Sequence, residues 1–224
     1  MAQRLAIVGG DAAGMSAASA ARRRDAHLEI VAFERGPYTS YSACGIPYFV
    51  AGLFAEADRL VSRSPDEHRA NGIDVRTRCE VVAIDLVART LTARAQTGEE
   101  GEEPFDQVVI ATGAQAAVPP IPGAAAVEPA RTVDAGERLR HALERGGRDA
   151  VVIGAGYIGL ELAEALVDRG LRVTMVDRAS QVMATLDADM AAHVQDAAEG
   201  YGVQVLLGAA VEEIVTGRDD APIA

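Results

Sequence analysis

One local pattern, occurring twice, constrains this 224-residue chain more than anything else in it. Residues 4–9 (RLAIVG) form a buried-strand run, a glycine-rich turn follows, residues 13–24 are an alanine-rich helical stretch, and residues 28–34 (LEIVAFE) read as the next strand. Far downstream, residues 150–154 (AVVIG), a helix over 157–169 and a strand over 171–177 repeat that order. Short Val- and Ile-rich runs alternating with amphipathic helices read as βαβ units on parallel sheets. The expected fold class is α/β, with two Rossmann-like three-layer domains.

Between the two copies the texture changes. Residues 79–85 and 90–95 read as strands, residues 98–104 as an acidic, solvated turn, and residues 105–111 as another buried strand. Ser64 before Pro65, with Glu67 three positions on, is a helix-start signature. The segment 118–123 (VPPIPG) is stiff and proline-rich, a natural linker. It places the boundary between domains 1–117 and 118–224. A helix over 187–199, strands over 203–206 and 211–215, and a turn over 217–224 are expected after the second copy.

The turns themselves carry chemistry. In Gly9-Gly10-Asp11-Ala12-Ala13-Gly14, Gly9 permits the tight turn and Gly14 the close approach of helix to strand. The N–H groups at the helix start can then hold a pyrophosphate. Glu34, 20 residues after Gly14, ends the second strand, where a carboxylate accepts ribose hydroxyls. Asp11 stands where the motif prefers a middle glycine; its charge would repel phosphates, so it should point away from them. The second turn, Gly154-Ala155-Gly156-Tyr157-Ile158-Gly159, is complete, and Asp177 lies 18 residues beyond Gly159. Two such turns, each followed by an acid at the right distance, point to dinucleotide binding rather than a purely structural pair. Asp177 favours NADH because a 2′-phosphate would meet its charge, while Arg178 beside it could pair with that phosphate and keeps NADPH open.

Composition removes other chemistries. All 21 basic residues are arginine, so there is neither a Schiff-base lysine nor the lysine of a P-loop. The formal charge of -12 argues against nucleic acid or an anionic membrane as partner. No apolar run is long enough to span a bilayer, and the N-terminus lacks a signal-peptide pattern. His27, His68, His141 and His193 stand isolated in polar contexts and read as solvated; no pair has metal-ligand spacing, and no metal is expected. Two cysteines fit a reducing cytoplasm. Pro47 belongs in the first turn of a helix, which places Cys44 at a helix N-terminus, where thiolate is favoured over thiol. A small buried hydrophobe is the other reading on local grounds. Cys79, at a strand start, reads as structural.

Taken together, these residues resemble a known group. The turn opening into Gly14-Met15-Ser16-Ala17-Ala18, the Glu34 strand and Ser40-x-x-x-Cys44-Gly45-x-Pro47-Tyr48 carry the likeness, with the Ala111-Thr112-Gly113 strand end and residues 154–161 (GAGYIGLE). The group is the single-cysteine pyridine nucleotide-disulfide oxidoreductases: coenzyme A-disulfide reductases, polysulfide reductases and related NADH oxidases and peroxidases. The resemblance implies FAD in the first domain, held by Gly9, Gly10, Asp11, Ala12, Ala13, Gly14, Glu34, Arg35, Ser42, Val82, Ala111, Thr112 and Gly113. It implies NADH, with NADPH as the alternative, in the second, held by Gly154, Gly156, Tyr157, Ile158, Gly159, Glu161, Asp177 and Arg178. Tyr157 matches the aromatic that shields the flavin, and Cys44 would be the catalytic residue.

Ser16, Arg23 and Ser40 would face a small-molecule disulfide, a coenzyme A-type thiol or a polysulfide. Ala12 stands where the oxidases and peroxidases of the group carry a histidine, which speaks against peroxide or oxygen reduction. Ala43 stands where some members carry Asn. Compared with the group, the chain resembles the N-terminal half, with both domains incomplete at the C-terminal end; the full-length enzyme would be a cytoplasmic homodimer. The alternatives are an NADH oxidase or general NADH:acceptor reductase that does not need Cys44, and an inactive dinucleotide-binding module.

Overall fold

Strand β1 (Arg4–Val8) is buried from Leu5 onward, as a run with apolar residues on both faces must be in a parallel sheet. In the computed structural model, which describes residues 3–215, β1 lies between β2 (Glu29–Glu34) and β7 (Gln107–Ile110), and β3 (Asp74–Thr77) extends the sheet beyond β2. All three pairings are parallel. Helix α1 (Ala12–Arg24) crosses from β1 to β2 and packs Met15 and Ala18 onto Leu5, Ile7, Ile30 and Val75. The residues between those positions, Ala6, Val8, Val31 and Phe33, face the other way and meet Leu91, Ala93 and Phe105. Leu91 and Ala93 belong to a second, antiparallel sheet of β4 (Cys79–Asp85), β5 (Thr90–Ala95) and β6 (Glu100–Pro104), and Phe105 directly follows β6. Helix, parallel sheet and antiparallel sheet make three layers, and the period of two in β1 and β2 feeds both interfaces.

Strand β6 corrects an expectation, because its acidic stretch was to be a solvated turn. Two of its three glutamates meet arginines: Glu100 Oε1 takes Arg94 Nε at 2.7 Å across the ladder, and Glu103 takes Arg4 Nη2 at 2.6 Å as well as Arg76. The Arg94–Glu100 pair lies on neighbouring strands, while Arg4 of β1 and Arg76 of β3 reach Glu103 from the parallel sheet, and both favour a pairing that a bare acidic run would oppose.

The second copy forms its own parallel sheet, ordered β10-β9-β8, from β8 (Asp149–Ile153), β9 (Arg172–Asp177) and β10 (Val203–Leu207). Helices α5 (Tyr157–Asp168) and α6 (Ala188–Gly200) follow β8 and β9. The register puts Ile153, Val176 and Leu206 in one row across the sheet, and Ile153 and Leu206 are exposed. The strand expected over 211–215 does not form. That segment lies along the proline-rich residues, with Ile214 N–H donating to the Pro122 carbonyl at 2.9 Å. Prolines at 119, 120 and 122 offer no N–H groups, so no ladder can be built on them. The turn expected over 217–224 lies outside the described residues.

By packing, residues 3–42 group with Asp58–Gln115, and Ala43–Ala57 group with residues 116–215. A boundary at 118 alone assigns Ala43–Ala57 to the first unit; in the structure this segment packs with the second. Its helix α2 (Ile46–Ala51) lies on α4 (Val133–Glu144), where Gly136 leaves room for Ile46 and Phe49. Arg140 of α4 stands 4.5 Å over the Phe49 ring and donates to the Phe54 and Ala55 carbonyls at 2.9 and 3.0 Å. These partners lie some 90 residues downstream of the segment they hold.

Candidate functional site

The two glycine-rich turns are built alike. Gly9 has φ +111° and Gly154 φ +109°. At Gly14 and Gly159 an added Cβ would fall 1.9 Å from the carbonyl of Gly9 and Gly154 respectively, so each helix sits directly on its turn. The acids at the strand ends reach back to the same turns. Glu34 accepts the Gly10 N–H with one carboxylate oxygen and the Gly36 N–H with the other, both at 2.7 Å. Asp177 accepts Ala155 N–H and Ala179 N–H, again both at 2.7 Å. A carboxylate offers about four lone-pair sites, so each acid keeps capacity for ribose hydroxyls while its position is fixed by backbone.

Helix starts differ in the same sense. Ser64 Oγ caps α3 (Pro65–Ala70) in a full capping box, and Thr132 caps α4. Neither α1 nor α5 is capped by a side chain; α6 is not either, but only α1 and α5 follow a glycine-rich turn. Their first-turn N–H groups are left to an outside acceptor, and Gly154 and Gly156 have open space where a Cβ would stand. Asp11, at the head of α1, turns its carboxylate to the Tyr41 N–H at 3.1 Å. The strand end at Ala111 closes over the first turn: its N–H donates to the Val8 carbonyl at 2.8 Å, and its own carbonyl abuts Gly9. These donors and acceptors fit a dinucleotide in each unit.

A cavity of about 380 Å³ opens beside α1, and Ser16, Arg23 and Ser40 all line it. Sequence reasoning missed Ser19, which lies on α1 between Ser16 and Arg23, and the other side of that cavity, which Ser62, Arg63 and His68 supply. His68 was expected to be solvated; it is 1% exposed, and its Nε2 lies 2.9 Å from Ser40 Oγ. Burial, with Arg63 adding, lowers its pKa, and Glu67 opposes. A signal for this was present. With Ser64 as N-cap, His68 is the fourth helical residue, the position that packs inward beneath a capping box.

Cys44 is an exposed free thiol in a single 3₁₀ turn, Ala43–Gly45, directly before α2, and Pro47 lies in the first turn of that helix. Cys79 is also free, half-buried at the start of β4, and burial pushes its thiol pKa up. Arg35, Ser42, Thr112 and Gly113 are exposed around the first unit's turn and strand end, and Val82 sits at a register shift in β4. In the second unit Tyr157, Ile158, Glu161 and Arg178 are exposed at the start of α5 and the end of β9. Among the described residues no helix is long and apolar enough to cross a membrane.

The sequence model of one family, described as pyridine nucleotide-disulphide oxidoreductase, matches residues 3–222. Over 217 residues the chain is 36% identical to an NADH oxidase of Methanocaldococcus jannaschii, covering 95% of this chain and 48% of the relative. Over 220 residues it is 31% identical to a coenzyme A disulfide reductase of Staphylococcus haemolyticus, covering 97% and 49%. An NAD-dependent persulfide reductase from A. fulgidus superposes with a TM-score of 0.93 at 37% identity, over 98% of this chain and 42% of that one. The chain thus spans about half the length of the relatives it matches.

Proposed function

The chain belongs to the pyridine nucleotide-disulphide oxidoreductase family, and from that premise we propose that it reduces a small disulfide or polysulfide with NAD(P)H, using FAD and the single cysteine Cys44. The observation that carries the substrate side is the meeting of Ser16, Arg23 and Ser40 in one cavity. Guanidinium and hydroxyl donors suit the phosphates of a coenzyme A-type thiol.

Gly10, the backbone at Ala12–Ala13 and the Glu34 carboxylate would hold FAD; the Gly156–Ile158 backbone and Asp177 would hold the nicotinamide dinucleotide, with NADH preferred. When bound, these groups supply a two-electron hydride chemistry that no side chain offers. The protein's own part is to hold diphosphates on the uncapped N–H groups of α1 and α5, to fix ribose on Glu34 and Asp177, and to exchange sulfur. The Cys44 thiolate attacks one sulfur of the substrate disulfide; the substrate S–S bond breaks, a Cys44–substrate disulfide forms, and one thiolate leaves. The net reaction consumes one NAD(P)H and one proton per disulfide and releases two thiols. A cytoplasmic enzyme fits this chemistry.

The M. jannaschii relative favours a second reading, NADH oxidation without Cys44. Ala12 weighs against it, standing where the oxidases the chain resembles carry a histidine. Purified protein supplied with FAD, NADH and coenzyme A disulfide separates the two. The reductase reading expects two thiols per NADH consumed. NADH consumption that follows oxygen and releases no thiol would overturn it.

A further inference from the structure

Among the described residues two polar side chains, Thr39 and His68, are buried, and both brace the loop that carries Ser40. Thr39 Oγ1 donates to the Arg63 carbonyl at 3.1 Å. Ser40 itself adopts φ +49°, a left-handed conformation that a serine keeps only when its surroundings dictate it. Those surroundings are its N–H on the Gly10 carbonyl at 3.2 Å, its carbonyl under the Ser62 N–H at 2.8 Å, and His68 Nε2 at its hydroxyl. The chain has thus fixed one hydroxyl at the wall of the cavity.

His68 decides what that hydroxyl can do. Its Nδ1 is buried and has no hydrogen-bond partner. A proton on Nδ1 would be an orphaned buried donor, whereas a bare nitrogen lone pair there is tolerated more easily. The proton therefore sits on Nε2, which donates to Ser40 Oγ and leaves the serine proton for another acceptor. We infer that His68 is a positioning residue that commits the Ser40 hydroxyl as a donor to an anionic oxygen of the ligand in the Arg23–Arg63 cavity. This deepens the reading given above and rests on it, since a coenzyme A-type thiol brings phosphate oxygens. Asp11 also lines the cavity, but its carboxylate is engaged by the Tyr41 N–H. Burial lowers the ring's pKa and so favours the neutral form that the arrangement requires.

The test uses the FAD-supplemented protein and its His68→Gln, His68→Leu, Ser40→Ala and His68→Leu/Ser40→Ala variants. Ring-nitrogen NMR of the unliganded wild type should show Nε2 protonated and Nδ1 bare; the opposite tautomer overturns the inference. Calorimetry with coenzyme A should show His68→Leu binding about tenfold more weakly, the effect of one lost charge-assisted hydrogen bond. The glutamine variant, whose amide N–H can take the place of Nε2–H, should stay within about threefold of wild type. In the Ser40→Ala background the leucine substitution should add nothing. An equal further loss there means that His68 acts by supporting α3 alone, and it overturns the inference. Wild-type protein that does not bind coenzyme A overturns the substrate reading, and the NMR result then still decides the role of His68.

Discussion

Replacing Gly9 and Gly154 separately by alanine separates two contributions that sequence motifs run together. The two residues hold the same place in their turns and nearly the same φ, +111° and +109°. A side chain at such a φ costs about 1–3 kcal/mol in either turn. Their surroundings differ. An added Cβ at Gly9 would stand 2.2 Å from the Ala111 carbonyl oxygen, while at Gly154 nothing lies within 4 Å. Restoring ordinary contact, 3.4 Å or more, requires the end of β7 to retreat by about 1.2 Å from Gly9. That retreat strains the 2.8 Å bond from Ala111 N–H to the Val8 carbonyl and adds about 1–3 kcal/mol of overpacking.

Gly154→Ala should therefore destabilise the β8–β9 region by about 1–3 kcal/mol, and Gly9→Ala the β1–β7 region by about 2–6 kcal/mol. Against a typical stability of about 5–15 kcal/mol, the second loss is severe. Native-state hydrogen exchange, read peptide by peptide, measures the opening free energy of each region. Gly9→Ala should also lower the flavin content of purified protein, leaving NADH binding intact. Losses of the same size in the two variants would refute the argument from close approach.

Three further outcomes follow from individual side chains. Arg140→Ala removes the cation over Phe49 and two carbonyl contacts, together about 2–3 kcal/mol, so thermolysin should cut within Ala43–Ala57 many times faster; an unchanged cleavage rate contradicts the anchoring. Because burial lowers the folded-state pKa of His68, the unfolded chain binds more protons as pH falls. The resulting stability is full above the unfolded value, about 6.5, and is lost as pH falls through the folded-state pKa; melting curves of His68→Gln should lose less between neutral and mildly acidic pH than wild type, and parallel curves contradict it. Asp177→Ala removes a negative charge from the end of β9 and leaves Arg178, so the ratio of NADPH to NADH affinity should rise about tenfold, about 1.4 kcal/mol; an unmoved ratio places the ribose elsewhere.

The parts of the fold written in local pattern were legible. A turn, the helix after it and the acid about 20 residues on lie within one crossover, so strands β1, β2, β8 and β9 and both acids could be read directly. The parts decided by distant partners were not. Glu100 and Glu103 look like a solvated turn until Arg4, Arg76 and Arg94 come to meet them. The helix after Cys44 looks like part of the first domain until Gly136 and Arg140 arrive from far downstream. Residues 211–215 carry the β-branched Val211, Ile214 and Val215 that suit a strand, yet the chain offers them a proline-rich neighbour that cannot donate. His68 lies between these cases: its polarity suggests the surface, while its place beneath the Ser64 capping box points inward. The cavity follows the same division, with its Ser16, Arg23 and Ser40 side readable from motif and its Arg63 and His68 side set by how α3 docks.

The central claim is that Cys44 carries the reducing equivalents to a disulfide, and the Cys44→Ser variant tests it most directly. Wild type and variant would be loaded with FAD and compared for NADH-dependent bleaching of the flavin and for thiol release from coenzyme A disulfide. The account predicts that the variant keeps its flavin and its bleaching by NADH but loses thiol release. Thiol release by the variant at the wild-type rate would contradict it.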